Sequence, residues 1–198
     1  MKSKEQILVV PVNHVSHIPN GLSGTISSLT TKSSYCLFDS IGVYEPRYKI
    51  ENNICLVKIA VILLLKNEEG KYLIKELTDT TKRPCLELGI ISFVKKESGN
   101  HNALLNQLNF ISDKIGLDTD KISYSYNGHI RDLASETTKT ILGTLYSINC
   151  KTSDIKINDS LTCVYKWYDL DTLVNKYSKA TKWSKELIDA LLINKIII

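Results

Sequence analysis

The sequence predicts an α/β fold, a mixed β-sheet held between helices as an α/β/α sandwich. Three observations carry that expectation. Residues 59–65 form an unbroken apolar run with the length of a strand buried on both faces. A short strand pattern from Leu86 to Val94, with Gly89 inside it, leads through a loop into a helix that closes on Gly116-Leu117. Further strand patterns and two amphipathic helices complete the chain, and strands mixed with helices in this way form layered domains.

Taken in order, Ile7 to Pro11 is a short strand stopped by proline. His14 to Ser34 is rich in Ser, Thr, Gly and Asn and reads as a loop. Phe38 to Ile50 is irregular, with Tyr44, Arg47 and Tyr48 grouped around Pro46. Ile54 to Lys66 is the strongest strand. Asn67-Glu68-Glu69-Gly70 is a hairpin turn, and Lys71 to Lys75 returns as a strand. In Glu97 to Leu117, the residues Leu104, Leu108, Ile111 and Ile115 recur at helical spacing as one apolar stripe, and Gly116 is a natural left-handed terminator. Strands follow at Ile122 to Arg131, Lys139 to Cys150 and Leu161 to Tyr168. Asp169 to Ser178 reads as a helix capped by Asp169 or Asp171, with Leu170, Leu173, Val174 and Tyr177 inward. Lys182 to Lys195 is a helix with Trp183, Leu187, Ile188, Leu191 and Leu192 on its apolar face, and Ile196 to Ile198 is an apolar tail. With no repeat and no linker, residues 1–198 are expected to be a single domain. Residues 1–50 would be an N-terminal strand and irregular extension packed on it.

Composition narrows the function. The 198 residues are 43% hydrophobic with a formal charge of +4, which excludes general disorder and suits one domain with a substantial core. The lysines are scattered. They read first as a solvated surface and only weakly as a nucleic-acid face, which is not excluded. The apolar stretch near the N-terminus is too short for a signal peptide, and residues 59–65 fall far short of a membrane span. Five dispersed cysteines without a C-x-x-C pair read as buried free thiols. A cytoplasmic protein with no membrane partner is the expectation.

A strand, a loop and a helix ending in Gly-Leu resembles the Nudix signature, whose helix ends Arg-Glu-apolar-x-Glu-Glu-x-Gly-apolar. Anchored on Gly116-Leu117, the resemblance puts Asn109 at the arginine and Phe110, Asp113 and Lys114 at the three metal-binding glutamates, with Ile111 in the apolar slot. Other pieces resemble the Nudix branch known as predicted phosphoesterases. These are Glu5-Gln6-Ile7-Leu8-Val9-Val10-Pro11, Tyr44-Glu45-Pro46-Arg47-Tyr48, Gly89, Ile141-Leu142-Gly143 and Trp183-Ser184. The departures matter more. Twelve positions separate Glu97 from Asn109, where the signature has eight, and bulky residues replace the glycine-rich turn around Gly89.

The resemblance implies a Nudix-like fold and, in an intact member, Mg²⁺-dependent cleavage of a diphosphate. Magnesium needs oxygen ligands, and three glutamates on one helix face would supply them. Here one face offers a phenyl ring, one short carboxylate and an ammonium. The catalytic set is therefore expected to be absent, with no metal cofactor. Glu87, Glu97 and Asp113 are weak metal candidates, and Glu136 is a further acid outside the helix. His14 and His17 lack a third ligand, and His101 is expected to be exposed. For ligand binding, Arg47 and Arg83 are the candidates to grip a phosphate, and Tyr44 and Tyr48 to stack on a base. Each also reads plainly as a surface residue. Three functions compete: a degenerate Nudix protein acting as sensor of a nucleotide-like ligand or as protein-interaction scaffold or homo-oligomer, an active Mg²⁺-dependent pyrophosphohydrolase with relocated ligands, and a nucleic-acid-binding module.

Overall fold

The computed structural model describes residues 5–23, 38–51, 53–78, 86–96, 102–133, 139–157, 163–194 and 196. Its strands are β1 Gln6–Pro11, β2 Gly21–Ser23, β3 Val43–Pro46, β4 Leu56–Lys66, β5 Tyr72–Leu77, β6 Leu86–Leu88, β7 Ile90–Phe93, β8 Ser125–Arg131, β9 Ile141–Asn149 and β10 Cys163–Tyr168. The longer helices are α1 Ala103–Lys114, α2 Leu170–Asn175 and α3 Lys182–Leu192. Hydrogen bonding joins the strands in the order β10-β5-β4-β9-β8-β2, with β1 on β3 and β4, β6 on β5 and β7 on β4. By contacts the chain forms two compact units, Met1–Val61 with Ile91–Phe110 and Gly128–Leu145, and Ile62–Ile90 with Ile111–Asn127 and Tyr146–Ile198. The chain passes from one to the other within β4, α1 and β9, between Ile90 and Ile91 of β7 and between Asn127 and Gly128 of β8.

In the first unit, β1 lies between β3 and the start of β4, with Leu8 opposite Tyr44 and Val9 opposite both Val43 and Lys58. Val94 joins this layer by accepting from Leu8 N at 2.8 Å and donating to Ile59 O at 3.0 Å. Ile7, Val9 and Ile50 are buried beneath it with Leu56 and Phe93 packed against them. Two segments expected to be irregular are ordered by partners remote in sequence. Residues 38–41 form a helical turn, Val43–Pro46 pairs as β3, and Arg47–Ile50 is a further turn. Within the expected loop, Val12–Val15 is a helical turn and Gly21–Ser23 pairs with His129 to Arg131. Residues 24–34 of that loop lie outside the described residues.

In the second unit, β5 pairs with β10 along its whole length and with β6 through Ile74 opposite Leu88. Asn67 closes the β4–β5 turn: its Oδ1 accepts from Glu69 N at 3.1 Å and Lys71 N at 2.8 Å. Across Ile59–Leu65 no side chain is exposed, as the apolar run predicts. Fully burying one such residue contributes about 1.5–3 kcal/mol. The Leu86–Val94 pattern is two strands rather than one. Gly89 breaks it at φ +77°, and a Cβ there would sit 2.7 Å from Leu63 O, closer than real contacts allow. Asp169 caps α2 by accepting from Thr172 N at 2.7 Å. Thr181 caps α3 by accepting from Ser184 N at 3.3 Å. Val174 and Leu192, expected inward, are 41% and 49% exposed, since each sits off the buried stripe carried by Leu173 and by Leu187, Ile188 and Leu191. Cys163 is buried and Cys150 half-buried, but Cys55 is exposed at the entry to β4, so the expectation of buried thiols fails there. Ile196 of the tail is buried. Among the described residues no helix is long and apolar enough to cross a membrane.

Candidate functional site

The register of α1 is set at its end. Gly116 has φ +83°, its N–H donates to Asp113 O at 3.1 Å, and Leu117 N donates to Ser112 O at 2.9 Å. That closing turn needs a left-handed residue, which glycine supplies without strain. Leu104, Leu108, Ile111 and Ile115 are buried as one stripe. Of the residues that the resemblance puts at the signature positions, Asn109 and Phe110 are half-buried and Asp113 and Lys114 exposed. This donor set does not fit Mg²⁺. A ring offers no lone pair, and an ammonium beside a dication repels it. Among the described residues no three His, Cys, Asp or Glu side chains gather to hold a metal.

The other candidates disperse. Glu87 is not simply solvent-facing. Its carboxylate is 2.7 Å from Lys75 Nζ and both side chains are largely covered. Glu97, Glu136, His101 and Arg83 lie outside the described residues. His14 and His17 are exposed. Arg47 donates to Glu5 at 3.3 Å with its guanidinium 5.5 Å from the centre of the Phe93 ring. Lys95 reaches the same Glu5 at 2.7 Å. That hydrogen bond from Lys95 leads in holding the Glu5 carboxyl below its ordinary value, with Arg47 adding to it against partial burial. Lys58 is pushed below the ordinary lysine value, by burial first and then by the charge of Arg47. Tyr48 is 44% exposed, while Tyr44 lines a hollow.

That hollow, about 330 Å³, is floored by Leu8 and Phe38 and edged by Asp39, Val43, Tyr44 and Lys96. Asp39 is occupied, since its carboxylate accepts from Asn102 N and, at 3.1 Å, from Ala103 N, and so caps α1. The second unit holds a larger cleft of about 860 Å³ by the α1 terminus, with Asn67, Glu68, Asp118, Cys150, Lys151 and Lys156 in its wall. Burial, then Glu68 and Asp154, push the Cys150 thiol up to about 11. Three acids, Glu68, Asp118 and Asp154, and three lysines, Lys121, Lys151 and Lys156, share the lining of the cleft.

Sequence reasoning missed three groups that organise this region. Asp39 lies 64 residues before Ala103, so no local capping pattern could reveal it. Gln107, buried in mid-helix, donates to Ser92 Oγ at 3.0 Å and accepts from Lys95 N at 3.1 Å. A lone glutamine among leucines was the available signal, because buried amides need partners. Ser112 and Tyr124 share a hydrogen bond of 2.8 Å, also across a loop.

No protein-family model matches the chain, and no curated protein matches it in sequence. Solved structures do resemble it. Tm1382, a candidate Nudix hydrolase, superposes with a TM-score of 0.75 at 20% identity, over 96% of this chain and 100% of that one. The MutT protein from Methanosarcina mazei Go1 gives 0.48 at 13% identity over 71% and 96% of the two chains. A Nudix hydrolase from Nitrosomonas europaea gives 0.46 at 17% identity over 70% and 90%. These last two overlaps are too partial to argue from. The near-complete superposition on Tm1382 carries the conclusion that this chain has the Nudix fold, an α/β/α sandwich with a mixed β-sheet.

Proposed function

We propose that this chain is a Nudix-fold protein that has lost metal-dependent diphosphate hydrolysis and acts as a sensor of a nucleotide-like ligand or as a protein-interaction scaffold. The observation that supports this reading is the face of α1, where Phe110, Asp113 and Lys114 stand together at the positions that the resemblance gives to the three glutamates. Helical spacing puts the three on one side of the helix. One carboxylate beside an ammonium does not hold a hard cation that needs several oxygen ligands. Relocated ligands gain no support from Glu87, which is already paired with Lys75.

The test is direct. Purified protein with Mg²⁺ or Mn²⁺ is expected to leave ADP-ribose, dinucleoside polyphosphates and nucleoside triphosphates unhydrolysed above background, and Mn²⁺ titrated by calorimetry is expected to show no site on α1. Metal-dependent turnover abolished by changing Asp113, Glu87 or Glu97 would establish the active alternative instead.

A further inference from the structure

We propose that the hollow over Leu8 in the first unit seats a single aromatic heterocycle bearing a phosphate, with the ring against Tyr44 and the phosphate on Lys96. This rests on the reading of the chain as a binder of a nucleotide-like ligand and says where that ligand sits and how large it is.

The construction of the hollow supports it. Leu8 and Tyr44 are directly opposite in the β1–β3 ladder, so their side chains share one face of the layer. On the other side of β1, Lys96 N donates to Gln6 O at 3.1 Å, which fixes the Lys96 backbone beside the same floor. The turn 38–41 forms the opposite wall, held by Gly42 N donating to Phe38 O at 2.9 Å. Gly42 fits there because any Cβ would meet Phe38 O at 2.4 Å and Leu8 Cδ1 at 2.6 Å. Leu8 and Phe38 lie beneath the hollow, 2% and 1% exposed, so the apolar surface open to a ligand comes from Tyr44 and the exposed Val43. An apolar seat with a few polar groups at its edge is the usual form of a small-molecule site.

Charge decides the polar end. Asp39 is the only carboxylate among the described lining residues, and the two backbone amides at the start of α1 already occupy it. Lys96 is exposed at the rim. Size decides the ligand class. About 330 Å³ is at the small end of ligand cavities, enough for one ring and one phosphate and too small for a dinucleotide.

Calorimetric titration with AMP, adenosine, ribose 5-phosphate and inorganic phosphate separates the parts. AMP is expected to bind, with each fragment at least about tenfold weaker. Lys96→Glu is expected to weaken AMP at least about tenfold while Lys96→Arg retains binding. Lys151→Glu, in the cleft of the second unit, is expected to leave it unchanged. Tyr44→Ala should weaken AMP and adenosine alike, and amide shifts of the unaltered protein should map AMP to Val43, Tyr44 and Lys96, so that the assignment does not depend on that variant folding. Absence of AMP binding at millimolar concentration, equal binding of inorganic phosphate alone, indifference to Lys96→Glu, or shifts centred on Lys151 and Lys156 would each overturn the proposal. Hydrolysis of AMP-containing diphosphates would overturn the loss of activity and leave the location of the seat to these titrations.

Discussion

Phe110 shows what a single side chain can decide. At its position an intact signature needs a hydrated carboxylate, and a ring there turns a polar face into a packing face. Phe110 is half-buried on α1. Burying a phenyl fully is worth about 1.5–3 kcal/mol, so this partial burial contributes roughly 1–2 kcal/mol. Phe110→Ala is therefore expected to lower the melting temperature by about 2–8 °C, read by thermal unfolding, for a chain of this size. An unchanged melting temperature would mean that the ring packs on nothing that matters. The double change Phe110→Glu, Lys114→Glu places two carboxylates beside Asp113. Three like charges on one face should destabilise the metal-free protein, and Mn²⁺ should restore part of that loss because it binds only the folded state. The end of α1 at Gly116 was legible because helix register and a left-handed terminator are local. Exposure of Lys114 and the pairing of Glu87 with Lys75 were not legible, since both depend on neighbours that folding supplies.

Elements divide along the same line. The long buried strand, the hairpin turn at Asn67, the stripe of α1 and the Asp169 cap of α2 are each fixed by residues a few positions apart, and the sequence shows them. Strands β2 and β3 are three and four residues long, too short for a pattern, and exist because β8 and β1 offer unpaired hydrogen-bonding edges. The sequence places Gly89 inside one strand, whereas the close approach of Leu63 O makes it the break between two. The sequence pattern starts the helix at Glu97, but the cap of α1 is Asp39 on another segment. That cap is a testable tie between the turn 38–41 and the helix. Asp39→Ala should cost about 1 kcal/mol by leaving amides unsatisfied, and Asp39→Asn should keep most of it. For this chain length that is about 2–4 °C in melting temperature, measured on both variants. Equal loss in Asn and Ala would show that the charge, rather than the capping oxygen, does the stabilising.

At the scale of the whole molecule, two groups shift far enough to shape how stability depends on pH in the acid range, in windows that overlap only between about 4 and 4.5. Burial works against ionising Glu76, yet Lys166, Lys176 and Tyr168 donate to it at 2.8, 3.0 and 2.8 Å and hold its carboxyl at about 2. A depressed carboxyl stabilises fully above its unfolded value of 4.5 and loses that contribution as pH falls toward 2. His129 acts earlier. It is buried edge-on against Phe38, with ring centroids 5.8 Å apart, and within 3.3 Å of Thr144 Oγ1. Burial, helped by the charge of His17, lowers it from 6.5 to about 4. Between those values the unfolded chain takes a proton that the folded protein refuses, so stability must fall as pH drops through this window and then level off. The full difference is roughly 3 kcal/mol, at 1.36 kcal/mol per pKa unit. Urea unfolding at a series of pH values from neutrality to about 5 lies above the window in which Glu76 titrates, and there the slope should correspond to the uptake of about one proton. His129→Gln, which keeps a polar side chain of similar reach but cannot titrate, is expected to be less stable at neutral pH and to lose that slope. If the slope survives the substitution intact, the protons are taken up elsewhere and His129 is not buried in its neutral form.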